Sequence, residues 1–154
     1  MFESCCSPHE SAHLLRSRYG LPVEQAGADL YLVNGLSVEA IGLPADLGRL
    51  LCTQLAELPA TPAVADPHDR HWIFLVSAPA PFEPVPLRLR HLLTAHRAVF
   101  PGPGTHIPVP GDDHVRGWHW ASAPHPGRLC VPSRAAVLDA VCRIVLRGAC
   151  PVSA

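Results

Sequence analysis

There is no lysine in this chain; all twelve basic residues are arginine. That absence excludes Schiff-base catalysis, a P-loop and a kinase-type ATP lysine. Each needs an amine that can lose its proton or sit as a point charge on phosphate. Charge is sparse altogether, at 16% of residues, and aromatics supply only 6%. No apolar run reaches the roughly 18 residues of a bilayer-crossing helix, so no membrane partner is expected. The six cysteines, Cys5, Cys6, Cys52, Cys130, Cys142 and Cys150, include no C-x2-C pair. They match no zinc or iron–sulfur spacing, and no metal or other cofactor is expected. Met-Phe-Glu-Ser-Cys-Cys-Ser at the start has neither the basic region nor the apolar stretch of a secretory signal. A cytoplasmic location without a disulfide framework is the expectation. Cys52 and Cys142 fall in apolar helical stretches as small buried residues, whereas Cys5 and Cys6 would be reactive only if exposed.

What is present suits one folded domain over residues 1–154. The chain is 48% hydrophobic, and its mean hydropathy is +0.17. That is enough apolar material for a core in a chain of single-domain length. Eighteen prolines and eleven glycines rule out long helices and coiled coils. The alanine-, proline- and arginine-rich, lysine-free composition fits translation of a GC-rich genome, so the bias need not be functional.

Ser7-Pro8-x-Glu10 is a helix start, with Gly20 as the stop. Residues 21–25, 29–33 and 37–43 read as strands, with Asn34-Gly35 turning between the second and third. Pro44 opens a helix to about Leu58, with Leu47, Leu50, Leu51, Leu55 and Leu58 as its core-facing stripe. Residues 59–69 read as loop, and His71–Val76 as a central strand because its apolar run is unbroken. A helix from Leu87 to about Ala98 follows. Strands 105–109 and 117–121 come next, joined by the polar loop 111–116. Ser133 caps a last helix, 133–147, with Val137, Leu138, Val141, Ile144 and Val145 on one face and Gly148 ending it. The order αβββαβαββα predicts a single compact α+β domain, with a mixed or antiparallel sheet flanked by helices.

A net charge of −1 conceals a gradient: residues 1–83 carry four arginines against ten acids, and residues 84–154 carry eight against three. Six of the ten histidines also lie in the second half. Either the basic half attracts a polyanion, more strongly on mild acidification, or the two halves attract each other across the fold. No acid occurs between Glu83 and Asp112, and this segment holds Arg88, Arg90, His91, His96 and Arg97. On one helix, Arg90 and Arg97 would share a face two turns apart, able to contact phosphates. Trp118 and Trp120 alternate onto one strand face, where they either stack on bases or fill the core. The pairs His68/His71, His91/His96 and His114/His119 lack the three or four convergent ligands of a zinc site. No Gly-x-Ser-x-Gly elbow marks a hydrolase.

The element order and several strings resemble the prim-pol core of the archaeo-eukaryotic primase superfamily, in the actinobacterial and phage bifunctional primase/polymerase form. The strings are Tyr19-Gly20-Leu21-Pro22-Val23, Val38-Glu39-Ala40-Ile41-Gly42-Leu43-Pro44, Asp69-Arg70-His71-Trp72-Ile73-Phe74, and Gly104 to Pro110 followed by a hairpin to Trp118 and Trp120. The likeness spans roughly residues 12–121. It implies a prim-pol-like fold, and it also implies two metal-binding carboxylates where this chain has Ala40 and Gly42. A third acid is missing near Ala95-His96-Arg97, and only the motif histidine, His71, remains. Two-metal nucleotidyl transfer needs those carboxylates, so catalytic residues are not expected. The expectation is a non-catalytic domain that binds nucleic acid or nucleotide through Arg70, His71, Arg88, Arg90, Arg97, Trp118 and Trp120. A protein–protein adaptor or self-associating scaffold is the alternative, and a small enzyme with an unrecognised site the third.

Overall fold

The computed structural model describes residues 7–56, 61–79, 81–111 and 117–149. Cys5, Cys6, Cys150, Leu58, His114 and the loop 112–116 lie outside them. In chain order the elements are α1 (Pro8–Tyr19), β1 (Glu24–Ala26), β2 (Asp29–Val33), β3 (Val38–Pro44), α2 (Ala45–Gln54), β4 (Ala63–Ala65), β5 (His71–Ser77), α3 (Leu87–Ala95), β6 (His106–Pro108), β7 (His119–Ser122) and α4 (Arg134–Ala149). Among the described residues, no helix is long and apolar enough to cross a membrane.

The helix ends follow local chemistry. Ser7 Oγ accepts the Glu10 N–H at 3.2 Å and donates to the Glu10 carboxylate at 3.1 Å. Gly20 stops α1 at φ +66°, its N–H returning to the Leu15 carbonyl; glycine takes that backbone conformation without steric cost. Ser133 Oγ accepts the Ala136 N–H at 3.2 Å and so caps α4.

Two antiparallel sheets organise the core, with orders β1-β2-β6 and β3-β5-β4-β7. The four-stranded sheet is covered on both sides. Ile41, Leu43, Trp72, Phe74 and Val76 face α2, α3 and α4. Val38, Ala40 and Leu75 face α1 and the inner side of the three-stranded sheet. Double coverage explains the unbroken apolar run of β5, while β2, covered on one side, alternates half-buried and buried residues. Each fully buried side chain of the size of Phe74 or Ile41 contributes about 1.5–3 kcal/mol. The result is a single compact α+β domain whose sheets are antiparallel.

Several sequence expectations are corrected. The loop expected at 59–69 contains β4, paired with both β5 and β7. Its three residues are wholly buried and two are alanine, so neither alternation nor β-branched enrichment marks it. Asn34-Gly35 does turn between β2 and β3, but β2 belongs to one sheet and β3 to the other. The hairpin expected before Trp118 and Trp120 is absent: β6 pairs with β2, and β7 with β4.

In α2, Leu51 and Leu55 are buried but Leu50 is 55% exposed. Gly48 takes the sheet-facing position: a Cβ there would come within 2.9 Å of the Trp72 ring. The helix therefore rests on Gly48 and Leu51, and Leu50 turns outward. Finally, α3 ends at Ala95 instead of continuing to Ala98. Val99 exchanges two 2.8 Å backbone hydrogen bonds with Gly42 on the edge of β3, which requires the chain to leave the helix before that point.

Candidate functional site

The exit from α3 fixes the position of Arg97. The Arg97 N–H reaches the Thr94 carbonyl at 2.9 Å, and the Ala98 N–H reaches the Leu93 carbonyl at 3.0 Å. These two bonds define a Schellman cap, whose left-handed residue is usually glycine. Here that residue is arginine, at φ +63°. Arg97 is thus off the helix and not stacked two turns below Arg90.

His96 and Arg97 line an open cleft of about 500 Å³ between the start of α2, the end of α3 and the end of α4. Its apolar wall includes Leu47, Leu50, Ile144 and Val145, and Asp46 stands on the α2 side. No ion pair joins His96 or Arg97 to an acid among the described residues.

Arg88, Arg90 and His91 are exposed on α3 itself. At 100° per residue, Arg88 and Arg90 flank the outward face with His91 between them. The Arg90 guanidinium lies 5.9 Å from the centre of the Phe100 ring. None of the three pairs with an acid among the described residues. Leu93 anchors the opposite side of the helix, wholly buried.

Arg70 and His71 occupy the β4–β5 turn, which is fastened by acids. Asp66 Oδ1 accepts the Arg70 and His71 N–H groups at 2.6 and 3.1 Å. Asp69, at φ +52°, accepts the Trp72 indole N–H at 2.6 Å and the Arg49 guanidinium at 2.7 Å. Arg49 also lies over the Trp72 ring, 5.4 Å from its centre. The side chains of Arg70 and His71 are exposed. His71 pairs with Pro44 on one side of β3, while Val99 sits on the other side, against Gly42. Arg70 and His71 therefore flank the same end of β3 as Arg97, although neither lines the cleft.

Trp118 and Trp120 are half-buried at the far edge of the sheet, about 14 Å from β3 at the usual strand spacing. Trp120 packs against the inner cluster. The structure thus gathers Arg88, Arg90 and Arg97 around α3, sets Arg70 and His71 nearby, and leaves the tryptophans apart.

The positions without carboxylates are packed shut. Ala40 is 4% exposed within the inner cluster, and a Cβ on Gly42 would lie 3.3 Å from the Val99 side chain. Glu39 points to the other face and pairs with Arg134 at 3.1 Å. Among the described residues, no three His, Cys, Asp or Glu side chains converge on a point where a metal ion could sit. Cys52 and Cys142 are half-buried against the helical core, and burial pushes both thiols up. Cys130 is exposed. Comparison with models of known protein families, with curated proteins and with solved structures finds no match.

The β4–β5 turn makes acid sensitivity testable. The Trp72 hydrogen bond, followed by the Arg49 charge, holds the Asp69 carboxyl below its usual range. A pKa lowered on folding gives stability that is present above the unfolded value, about 3.9, and lost as pH falls through the folded one. Asp69→Asn keeps an oxygen for Trp72 and tolerates the left-handed backbone, but it cannot titrate. In urea titrations between pH 5 and pH 2 the variant should lose stability less steeply than the parent. Parallel curves would show that Asp69 contributes nothing to acid unfolding.

Proposed function

We propose that this domain is a non-catalytic module that binds nucleic acid through its phosphates, on a prim-pol-like core whose metal-binding acids are gone. The observation that carries this reading is the exposure of Arg88, Arg90 and His91 on α3 with no acid paired to them among the described residues. Cations left unpaired on one surface are available to a polyanion, and their affinity comes from released counterions. Arg97 continues the positive surface at the end of the helix, while Arg70 and His71 extend it past the end of β3. Ala40 and Gly42 support the non-catalytic part, since neither residue carries a metal-ligating group and a larger side chain at either would crowd buried neighbours.

The test is fluorescence anisotropy with a labelled single-stranded oligonucleotide across a salt series. Three arginine–phosphate contacts give a slope of log K on log salt near −2, or about sixteen-fold weaker binding from 50 to 200 mM. Replacing Arg88 and Arg90 with alanine should bring the slope to about −0.7, with the fold intact by circular dichroism. No binding at low salt, or a slope unchanged in the double variant, would overturn the reading. The exposed apolar side chains Leu36, Phe82 and Leu87 would then become the first places to look for a protein partner.

A further inference from the structure

Two positions around the α2–α3–α4 cleft carry residues that cost stability where a better choice is sterically open, and a third exposes apolar surface there. Arg97 holds a left-handed backbone conformation that glycine adopts freely. Gly148 lies in the last turn of α4, where any side chain would favour the helix, and a Cβ there would meet no atom within 4 Å. Leu50 turns an apolar side chain outward and is 55% exposed. In addition, α2 starts at Pro44, which provides no side-chain cap for the first-turn N–H groups at the cleft. Local rules broken together around one concave site mark it as functional.

The chemistry of the walls narrows the ligand. Leu47, Leu50, Ile144 and Val145 offer apolar surface, and Arg97 with the uncapped start of α2 offers positive potential. Asp46 stands in the same cleft, and its carboxylate penalises a second negative charge. The volume, about 500 Å³, is in the range of small-molecule sites. We propose that this cleft binds a small amphipathic mono-anion, with its apolar body against Leu47, Leu50 and Ile144 and its single anionic head at Arg97. Gly148 is left without a side chain so that the body can enter. The cleft shares Arg97 with the positive surface proposed for nucleic acid but includes neither Arg88 nor Arg90.

The probe is 1-anilinonaphthalene-8-sulfonate, an apolar body with one sulfonate, and its uncharged counterpart is N-phenyl-1-naphthylamine. The sulfonate should bind saturably at one site per chain and be displaced by dodecanoate. Gly148→Met fills the cleft and Arg97→Gly removes the cation, and each should weaken binding about ten-fold or more. Both variants should melt at or above the parent temperature, which separates loss of the site from loss of the fold. Replacing Arg88 and Arg90 should leave the probe unaffected, and Gly148→Met should leave oligonucleotide affinity unaffected. The two proposals can therefore fail independently. Undiminished binding by Gly148→Met, equal affinity for the uncharged counterpart, or no saturable binding would each overturn the assignment.

Discussion

Arg134→Ala should lower the stability of this domain by about 3–5 kcal/mol, the cost of leaving one partner of a buried ion pair alone. Arg134 and Glu39 meet at 3.1 Å, with only 11% and 13% of their side chains exposed. The guanidinium also donates to the Glu83 carbonyl. Arg134 thereby ties the first turn of α4 to β3 and to the segment leading into α3. Against a typical total of about 5–15 kcal/mol, the loss is large. For a chain of this size it corresponds to a melting point lower by roughly 6–20 °C.

A second variant separates the pair from its stranded charge. With Glu39→Leu and Arg134→Met together, no ion is left buried, and apolar replacements of similar volume are often neutral or stabilising. Most of the loss should be recovered, since the Glu83 carbonyl, on an exposed residue, can turn to water. Thermal melts of the single and double variants decide the matter. A double variant as unstable as the single one would place the cost in packing at α4, not in an uncompensated charge.

The second large effect is expected at Asn34, which is 5% exposed. Its amide nitrogen donates to the Pro101 and Gly102 carbonyls at 2.8 and 3.1 Å. Its carbonyl oxygen accepts the buried Ala40 N–H at 2.7 Å. The side chain therefore joins the corner between the two sheets to the turn that precedes β6. Asn34→Ala strands up to three polar backbone groups, at about 1–3 kcal/mol for each that water cannot reach. The expected total is about 3–5 kcal/mol. Asn34→Asp should be no better. A carboxylate still accepts from Ala40, but it has no N–H for the two carbonyls and presents oxygen to oxygen. Urea midpoints measure both variants, and hydrogen exchange at the Ala40 amide reports the local loss. An aspartate variant as stable as the parent would show that the two donated bonds carry little of the energy.

Much of the fold was legible because it is locally encoded. Ser7, Pro8 and Glu10 start α1 and Gly20 ends it through contacts only a few residues long. The apolar run of β5 required a strand covered on both faces, and that is its place. The α4 stripe of Val137, Leu138, Val141 and Val145 is buried as its helical spacing demands. The candidate site was legible only in part. The basic segment that contains Arg88, Arg90 and Arg97 is visible in the sequence, whereas the cleft is not. The local signals at Leu50 and Gly148 misled, because their places depend on which helix faces them. Leu50 reads as core-facing but is exposed, and Gly148 reads as a helix stop but lies within α4, which continues to Ala149.

By itself, then, the sequence determined most of the elements, though not β4, together with the α+β class and the absence of carboxylates at positions 40 and 42. The tertiary structure decided which strands pair, placing the strands on either side of Asn34-Gly35 in different sheets. It turned Leu50 outward by seating Gly48 against Trp72. It ended α3 early and moved Arg97 from a helix face into a cleft, because Val99 is required at the edge of β3. It also joined Glu39 to Arg134 across 95 residues of chain. The division has one physical cause. Caps, turns and amphipathic periods are set by sterics and hydrogen bonds among neighbours in sequence. Strand partners, burial and ion pairs depend on distant segments, whose meeting is decided by which arrangement buries the most apolar surface while leaving no polar group alone.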